Sequence, residues 1–142
     1  MDKSPQKYVL GVDGGGTKTV AALAGLDGKV LKLSEAGPSS PRNSGIEESA
    51  ENIALAVKKV LKKKAQVVSF IVGLPAVQEE FRTKTGEISA EIFKKTKIKP
   101  EIVSDQIVAF RCGTDEKNGL VLIAGTGSAA HGWRGGREEK TS

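Results

Sequence analysis

An apolar segment that ends in an acid and three glycines limits the fold of this chain more than any other feature of its sequence. The segment reads VLGVDGGGTKTV and occupies residues 9–20. The apolar run Tyr8–Val12 precedes the glycines, and a second run, Val20–Leu26, follows them. Consecutive glycines adopt turn conformations that other residues avoid, so the two runs are predicted to be neighbouring strands joined by a tight turn.

The rest of the chain alternates strand and helix patterns. Val30–Ser34 reads as a half-exposed strand, which completes an antiparallel meander. Two prolines in residues 37–43 break both a helix and a central strand, and the spacing Ser44-x-x-Glu47 predicts that a helix begins there. Further strands are predicted over 66–73, 98–103 and 120–124, and further helices over 81–92 and 106–111. This order predicts an α/β fold with a mixed sheet and helices on both faces.

Apolar side chains predict which parts of these elements are buried. In the first helix they recur at helical spacing, at Ile46, Ala50, Ile53, Val57 and Val60. The run QVVSFIVG at 66–73 is apolar enough for a buried parallel strand, and LVLIA at 120–124 is predicted to be a final buried strand. The 142 residues are enough for one domain with a core.

Charge, cysteine content and hydropathy exclude several classes of protein. The formal charge is +5, but the lysines concentrate at 58–64 and 94–99 without interleaved aromatics, which is typical of solvated helix faces. The single cysteine, Cys112, excludes an internal disulfide and a cysteine-rich metal site. No apolar run could span a membrane, and the polar start MDKSPQK is unlike a signal peptide. We therefore expect a cytoplasmic protein without nucleic-acid or membrane partners.

Three groups of polar or glycine residues each follow an apolar strand directly. They are Asp13 with its glycines, Ser104-Asp105, and Gly125-Thr126-Gly127. In open α/β sheets ligands bind at the carboxyl ends of the strands, so all three groups are expected to line one cleft.

The first glycine group has two interpretations, a plain hairpin turn or a seat for a phosphate. Gly14, Gly15 and Gly16 would let backbone N–H groups approach an anion, while Thr17 adds a hydroxyl and Lys18 a charge. The segment is not a P-loop, because a threonine stands where the lysine should be. It is not a dinucleotide fingerprint either, because a strand and not a helix is predicted to follow it.

The acids at the strand ends also carry two interpretations each. Asp13 suits Mg²⁺ bound largely through water, or an Asx-turn that caps its own hairpin. Asp105 suits a general base in phosphoryl transfer, or the N-cap of the helix that follows. His131, the only histidine, has no partner spaced for metal binding and is interpreted as structural or as a surface residue.

Taken together, these motifs resemble a known family. GVDGGGTKT, GPSSP, VSDQIVAF and LVLIAGTGSAAHGW occur in the order and at the spacing of the N-terminal domain of the BadF/BadG/BcrA/BcrD ATPase family. That family includes the N-acetylglucosamine kinases and belongs to the actin, sugar kinase and heat-shock chaperone superfamily. The resemblance implies a ribonuclease-H-like domain over residues 1–142 with a five-stranded mixed sheet. It also implies a C-terminal domain that is absent from this chain.

The resemblance assigns roles to individual residues. Gly14 to Thr17 would form the first phosphate loop beside Mg²⁺ at Asp13, and Gly125, Thr126 and Gly127 would form the second. Asp105 falls where the kinase members carry their catalytic aspartate. The sugar would lie near Ser39, Ser40, Asn43, Asp105 and Ser128. Ser40 stands where family members often have a sugar-binding asparagine, for which Asn43 could substitute, and Pro75 stands in a stretch that is usually flexible.

The resemblance therefore implies an ATP- and Mg²⁺-dependent sugar kinase whose acceptor is an amino sugar such as N-acetylglucosamine. A second hypothesis is an ATPase that activates a partner enzyme by hydrolysing ATP, although such activators carry cluster cysteines and here Cys112 is alone. A third, a nucleic-acid-binding module, depends only on the basic charge and lacks a third well-placed acid. A homodimer is one open alternative for the oligomeric state.

Overall fold

A computed structural model describes residues 5–75, 84–124, 128–135 and 137–141. Within these residues the chain forms the following elements in order: β1 (Lys7–Gly14), β2 (Thr19–Gly25), β3 (Val30–Ala36), α1 (Pro41–Val60), β4 (Gln66–Leu74), α2 (Thr85–Thr96), β5 (Glu101–Ser104), α3 (Asp105–Gly113), β6 (Gly119–Ala124), β7 (Ser128–Arg134) and β8 (Arg137–Thr141).

The first five strands form one mixed sheet in the order β3-β2-β1-β4-β5. β1 and β2, and then β2 and β3, pair antiparallel, which is the predicted meander. β4 pairs parallel to β1, and β5 pairs parallel to β4. The carboxyl ends of β1, β4 and β5 therefore lie together at one edge of the sheet. This arrangement confirms the predicted α/β, ribonuclease-H-like fold.

The main core lies between one face of this sheet and helices α1 and α2. The apolar positions predicted for the first helix are confirmed, because Ala50, Ile53, Val57 and Val60 are buried and Ile46 packs against the same cluster. Ile88 and Ile92 of α2 complete it. β4 is parallel as predicted but is buried on one face only, since Ile71 on the other face remains 38% exposed.

The start of α1 differs from the prediction. The segment 37–43 was expected to be non-helical, yet the helix begins at Pro41, with Ser40 as its N-cap. Proline is tolerated in the first turn, where its missing N–H would have had no helical partner. Gly45 then interrupts the helix with φ 76° and ψ 173°, a conformation that a side chain would strain. The break lies one residue from the predicted start at Ser44, so the main helix does begin where the sequence indicates.

Helix α2 begins at Thr85 and includes Gly86 in its first turn. Phe81, which was predicted to begin this helix, lies outside the described residues. The strand predicted over 98–103 is shorter, because β5 starts after Pro100, which has no N–H to donate to a neighbouring strand.

The segment 120–124 is a strand, but the prediction that it is buried in the main sheet is wrong. β6 belongs to a separate three-stranded antiparallel sheet of order β6-β7-β8. Its residues alternate in exposure, and Leu120 and Leu122 are 64% and 71% exposed. The strand turns back directly into β7 and pairs with it from Gly119 to Ala124, so hairpin pairing takes the place of a parallel position.

Helix α3 packs on the face of the main sheet opposite α1 and also contacts the second sheet. A Cβ on Gly73 of β4 would lie 2.8 Å from Val108 Cγ2, so the helix and the strand are in close contact. Further along α3, the Phe110 ring packs on Trp133 of β7 with centroids 4.6 Å apart. Helices therefore cover both faces of the main sheet, as predicted. No helix in the described part of the chain is long and apolar enough to cross a membrane.

The contact between α3 and β6 gives a first testable prediction. A Cβ on Gly119 would lie 2.2 Å from Phe110 Cε2, and that ring is held by Trp133. Gly119→Ala is expected to lower the free energy of unfolding by about 1–3 kcal/mol, because the overpacked ring must move. Gly113→Ala is the matched control, since nothing lies within 4 Å of its Cβ position. Denaturant unfolding that shows equal stability of the two variants would contradict this packing.

Candidate functional site

The glycine turn between β1 and β2 is a tight hairpin. Gly14 pairs with Thr19, and the N–H of Gly15 donates to the carbonyl of Lys18 at 3.0 Å. This bond uses the Gly15 N–H within the turn, although the sequence interpretation gave it to an anion. Gly16 and Thr17 are exposed at the tip, and their N–H groups donate to no backbone carbonyl of the described residues. Those two N–H groups and the Thr17 hydroxyl remain available to an anion.

Gly14 must be a glycine because the chain packs closely around it. A Cβ there would lie 2.6 Å from Leu74 Cδ2 and 2.6 Å from the Ser39 hydroxyl oxygen. The turn is thus in direct contact with the end of β4 on one side and with the loop after β3 on the other. The glycine at this position serves close packing, and the exposed glycines at the tip leave the backbone accessible.

Buried hydroxyl groups hold the loop after β3 against the hairpin. Thr19 Oγ1 lies 2.7 Å from Ser39 Oγ and donates to the carbonyl of Gly37 at 2.7 Å. The N–H of Ser39 donates to the carbonyl of Gly15 at 2.9 Å. From α1, the Asn52 amide donates to the carbonyl of Pro38 at 2.7 Å. We call these contacts of residues 37–39 the loop clamp.

The three residues of this loop region that the resemblance placed near a sugar occupy different environments. Ser39 is fully buried and its hydroxyl contacts Thr19, so it supports the loop from within. Ser40 is 5% exposed, and its carbonyl accepts from the N–H groups of Asn43 and Ser44. Asn43 is exposed, and its amide nitrogen lies 3.4 Å from the position of a Cβ on Gly16. Asn43 therefore presents an amide beside the tip of the glycine turn.

Lys18 forms an ion pair with β3 instead of projecting alone into the turn. Its Nζ lies 2.7 Å from Glu35 Oε1, and the two side chains are 58% and 62% exposed. An exposed pair of this kind contributes little stability. The ammonium group remains at the base of the turn, where Glu35 offsets part of its charge.

Asp105 and Asp13 lie at the same edge of the main sheet. Asp13 pairs in register with Gly73, and Gly73 pairs in register with Val103, two residues before Asp105. Two strand spacings separate the Asp13 and Val103 positions, which corresponds to about 9–10 Å. Gly73 contributes no side chain between them, and its Cβ position is 3.5 Å from Asp105 Cα. Gly73 therefore lets the start of α3, with Asp105 and Val108, lie close against β4.

Asp105 is the first residue of α3 and is not its cap. Ser104 is the N-cap, and its hydroxyl accepts from the N–H of Gln106 at 3.2 Å. The N-capping interpretation of Asp105 is therefore wrong, because the preceding serine fills that role. The carboxylate is partly exposed and lies 3.5 Å from the Ser104 hydroxyl. The carboxylate lies in the first turn of a helix, where acidic side chains are commonly found.

The second glycine group, Gly125, Thr126 and Gly127, lies outside the described residues, so its geometry stays a prediction. Ser128 is the first residue of β7 and pairs in register with Ala124. Three residues further on, His131 is fully buried, and its Nδ1 contacts Oε1 of Gln106 on α3. His131 is therefore structural rather than a surface residue. Sequence reasoning missed Gln106. The signal that could have revealed it is the matching spacing of Phe110, one helical turn after Gln106, and Trp133, two residues after His131, because these two aromatic residues also pack on each other.

The residues at this edge fit a magnesium–nucleotide complex better than a metal ion alone. In the described part of the chain, no group of three or more metal-ligating side chains comes together. Mg²⁺ is commonly held by one or two carboxylates together with water and substrate phosphates. The exposed Asp13 carboxylate beside the glycine turn matches that requirement, with phosphates supplying the other ligands.

The strand order of the main sheet and the helices on both of its faces define a ribonuclease-H-like α/β fold. A match to the BadF/BadG/BcrA/BcrD ATPase family covers residues 10–142. The chain belongs to that family.

The chain is also similar in sequence to a curated protein. It is 30% identical over 132 residues to an N-acetylmuramic acid/N-acetylglucosamine kinase of Clostridium acetobutylicum. That match covers 89% of this chain and 42% of the relative, so the chain spans less than half of the relative's length.

Solved structures share the fold at low sequence identity. A candidate N-acetylglucosamine kinase from Porphyromonas gingivalis has a TM-score of 0.74 and 18% identity, with 94% of this chain and 47% of that chain covered. A ROK family glucokinase from Streptomyces griseus, solved with glucose and AMPPNP, has a TM-score of 0.68 and 17% identity, with 93% and 46% covered. These similarities show that the chain shares its fold with those two structures.

The close packing at the glycine turn gives a second prediction. Gly14→Ala is expected to lower the free energy of unfolding by about 1–3 kcal/mol, because the new methyl group would overlap Leu74 and Ser39. Gly11→Ala, in the same strand, is the control, since its Cβ position has nothing within 4 Å. Thermal or denaturant unfolding compares the two. If Gly14→Ala is as stable as Gly11→Ala, the turn does not pack as described.

The loop clamp gives a third prediction. Thr19→Val preserves volume but removes the donor to the Gly37 carbonyl and the partner of the Ser39 hydroxyl. Leaving buried polar groups without partners is expected to cost about 1–3 kcal/mol of unfolding free energy. Thr19→Ser keeps the hydroxyl and should lose less stability. The reverse order of stability in denaturant unfolding would show that the methyl group, and not the hydroxyl, matters at this position.

Proposed function

We propose that this chain is the N-terminal half of an ATP-dependent sugar kinase that phosphorylates a hydroxyl of an amino sugar. The proposal is supported by membership of the BadF/BadG/BcrA/BcrD ATPase family and by the similarity to a kinase for N-acetylmuramic acid and N-acetylglucosamine. The observation that carries it is the position of Asp105, at the sheet edge that also holds Asp13 and the glycine turn.

The phosphates are proposed to lie against the tip of the glycine turn. The N–H groups of Gly16 and Thr17, the Thr17 hydroxyl and Lys18 are the donors there, with the second glycine group, Gly125 to Gly127, on the other side. Mg²⁺, when bound near Asp13, offsets the negative charge of the phosphates. Preorganised donors and charges of this kind stabilise phosphoryl transfer without having to rearrange during the reaction.

Asp105 is proposed to accept the proton of the attacking sugar hydroxyl. The hydroxyl oxygen forms a bond to the γ-phosphorus, the bond from that phosphorus to the bridging oxygen of ADP breaks, and the proton passes to the Asp105 carboxylate. Asn43 and Ser128 are the proposed sugar contacts, since Asn43 is exposed beside the turn and Ser128 opens β7. Ser39 is assigned a supporting role because it is buried in the loop clamp.

The proposed reaction needs the rest of the protein. This chain matches only 42% of the Clostridium acetobutylicum relative, and closure of a second domain over ATP would position the phosphates and exclude water. We expect the full-length protein to act in the cytoplasm, where ATP is available. This chain alone is expected to bind nucleotide weakly.

Replacement of Asp105 tests the base role. In the full-length protein, Asp105→Asn is expected to lower kcat by about 10²–10⁴-fold, the usual contribution of a general base, and to leave ATP binding intact. Asp115→Asn, at an exposed acid shortly after α3, is the matched control and should keep wild-type kcat. Coupled-assay kinetics and nucleotide titration supply both readouts. Full turnover by Asp105→Asn would rule out its role as the base.

Dependence on an acceptor separates the kinase from the partner-activating ATPase. ATP consumption by the full-length protein is measured with N-acetylglucosamine, with N-acetylmuramic acid, with glucose, and without sugar. We expect turnover only with an amino sugar, together with a phosphorylated product. Equal turnover in every arm would favour an ATPase that activates a partner and would overturn the kinase proposal.

A further inference from the structure

A buried polar contact joins the first turn of α3 to strand β7. Gln106 directly follows Asp105 and is 7% exposed, and His131 is fully buried. Gln106 Oε1 faces His131 Nδ1, so the ring nitrogen carries the proton and donates to the amide oxygen. The N–H of Gln106 is itself bonded to the N-cap hydroxyl of Ser104. The residue after the proposed base is thus fixed both to its own helix and to the second sheet.

Aromatic packing surrounds this contact. The His131 ring stacks on Trp133 with centroids 4.3 Å apart at 22°, and Trp133 in turn packs on Phe110. Gln106 and Phe110 are four residues apart on α3, and His131 and Trp133 are two apart on β7, so each pair faces the same way. The helix and the strand therefore meet at two points, one polar and one aromatic.

The hydrogen bond restricts the position of α3 along β7 more than the aromatic packing alone would. Stacked rings tolerate small sliding movements, whereas a hydrogen bond is lost steeply with distance and angle. A buried amide or imidazole without its partner is costly, which leaves one favourable position of the helix along the strand. The contact therefore specifies where the start of α3 lies relative to β7.

That position matters because β7 follows the second glycine group directly. Ser128 begins β7 and His131 lies three residues later, which is about 10 Å along a strand. A short path of contacts thus runs from Asp105 through Gln106 and His131 along β7 to Ser128, its first residue.

We propose that Gln106 and His131 form a positioning pair, which holds the start of α3, and with it the Asp105 carboxylate, at a fixed position relative to β7. The proposal rests on the proposed function, in which Asp105 receives the sugar proton and Gly125 to Gly127, which directly precede β7 in the sequence, hold phosphate. Neither residue touches substrate in this role. Displacement of a reacting group by about 1 Å can cost about 100-fold in rate, so loss of the pair should lower kcat much more than it changes the KM for ATP.

Two substitutions of His131 separate the hydrogen bond from the stacking. His131→Phe keeps an aromatic ring against Trp133 but removes the donor, while His131→Asn keeps a donor near the Nδ1 position but removes the ring. In the full-length protein we expect kcat to fall about 10- to 100-fold in His131→Phe and less in His131→Asn. The thermal unfolding temperature should fall in the opposite order, lowest in His131→Asn. A purely structural role would make kcat follow the unfolding temperature.

Gln106→Met provides the reciprocal variant and covers the case in which a His131 variant fails to fold. It is expected to lower kcat as much as His131→Phe does, with the KM for ATP within about twofold of wild type. The double variant Gln106→Met, His131→Phe should be no slower than either single variant, because both remove the same contact. Trp133→Phe, which changes the stacking and keeps the polar pair, should lower stability and retain kcat.

The possible results separate this inference from the proposed function. If the wild-type protein shows sugar-dependent turnover but His131→Phe and Gln106→Met keep full kcat, the positioning pair is overturned and the kinase proposal stands. Multiplicative losses of kcat in the double variant would also overturn the pair. If the wild-type protein shows no sugar-dependent turnover, the proposed function is overturned, and with it a role for the pair in sugar phosphorylation.

Discussion

The parallel pairing of β1, β4 and β5 is the constraint on which the rest of the structure depends. It aligns Asp13, Gly73 and Val103 in one row, so each strand releases the chain at the same edge of the sheet. The glycine turn, the loop clamp and the first turn of α3 therefore lie close together at that edge. Because glycine occupies the central position of the row, α3 can lie directly against β4 next to Asp105. A side chain at that position would overlap Val108 of α3.

Much of the main sheet could be predicted because its elements bury apolar residues at regular spacing. The meander, the core face of α1 and the parallel position of β4 all follow from such patterns. The separate sheet could not be predicted in the same way. β7 consists largely of small residues and β8 is highly charged, so neither carries an apolar strand pattern. Because the sequence shows no partner strand for LVLIA, it predicts a buried strand there, whereas the segment pairs antiparallel with the next strand, β7.

In the site, too, local sequence patterns predict some features, whereas others depend on contacts between residues that are distant in the sequence. The positions of Asp13 and Asp105 at strand ends could be predicted, because they depend on local pattern and on the parallel topology. The contact of Gln106 with His131 could not, because it joins residues that are 25 positions apart, one on helix α3 and the other on strand β7. The burial of Ser39 also depends on an element distant in sequence, since Thr19 lies on β2. Side-chain roles that arise from tertiary contacts leave little trace in a single sequence.

The interruption of α1 at Gly45 has a consequence for how this fold can diverge. Residues 41–44 form a helical turn that a break in the regular backbone at Gly45 separates from the main helix. Asn43 at the glycine turn belongs to this small unit, whereas the buried face from Ala50 onward belongs to the core. A substitution at Asn43 therefore leaves the buried face of the main helix unchanged. Under the proposed function, the residues that contact the acceptor and those that stabilise the core can then change separately.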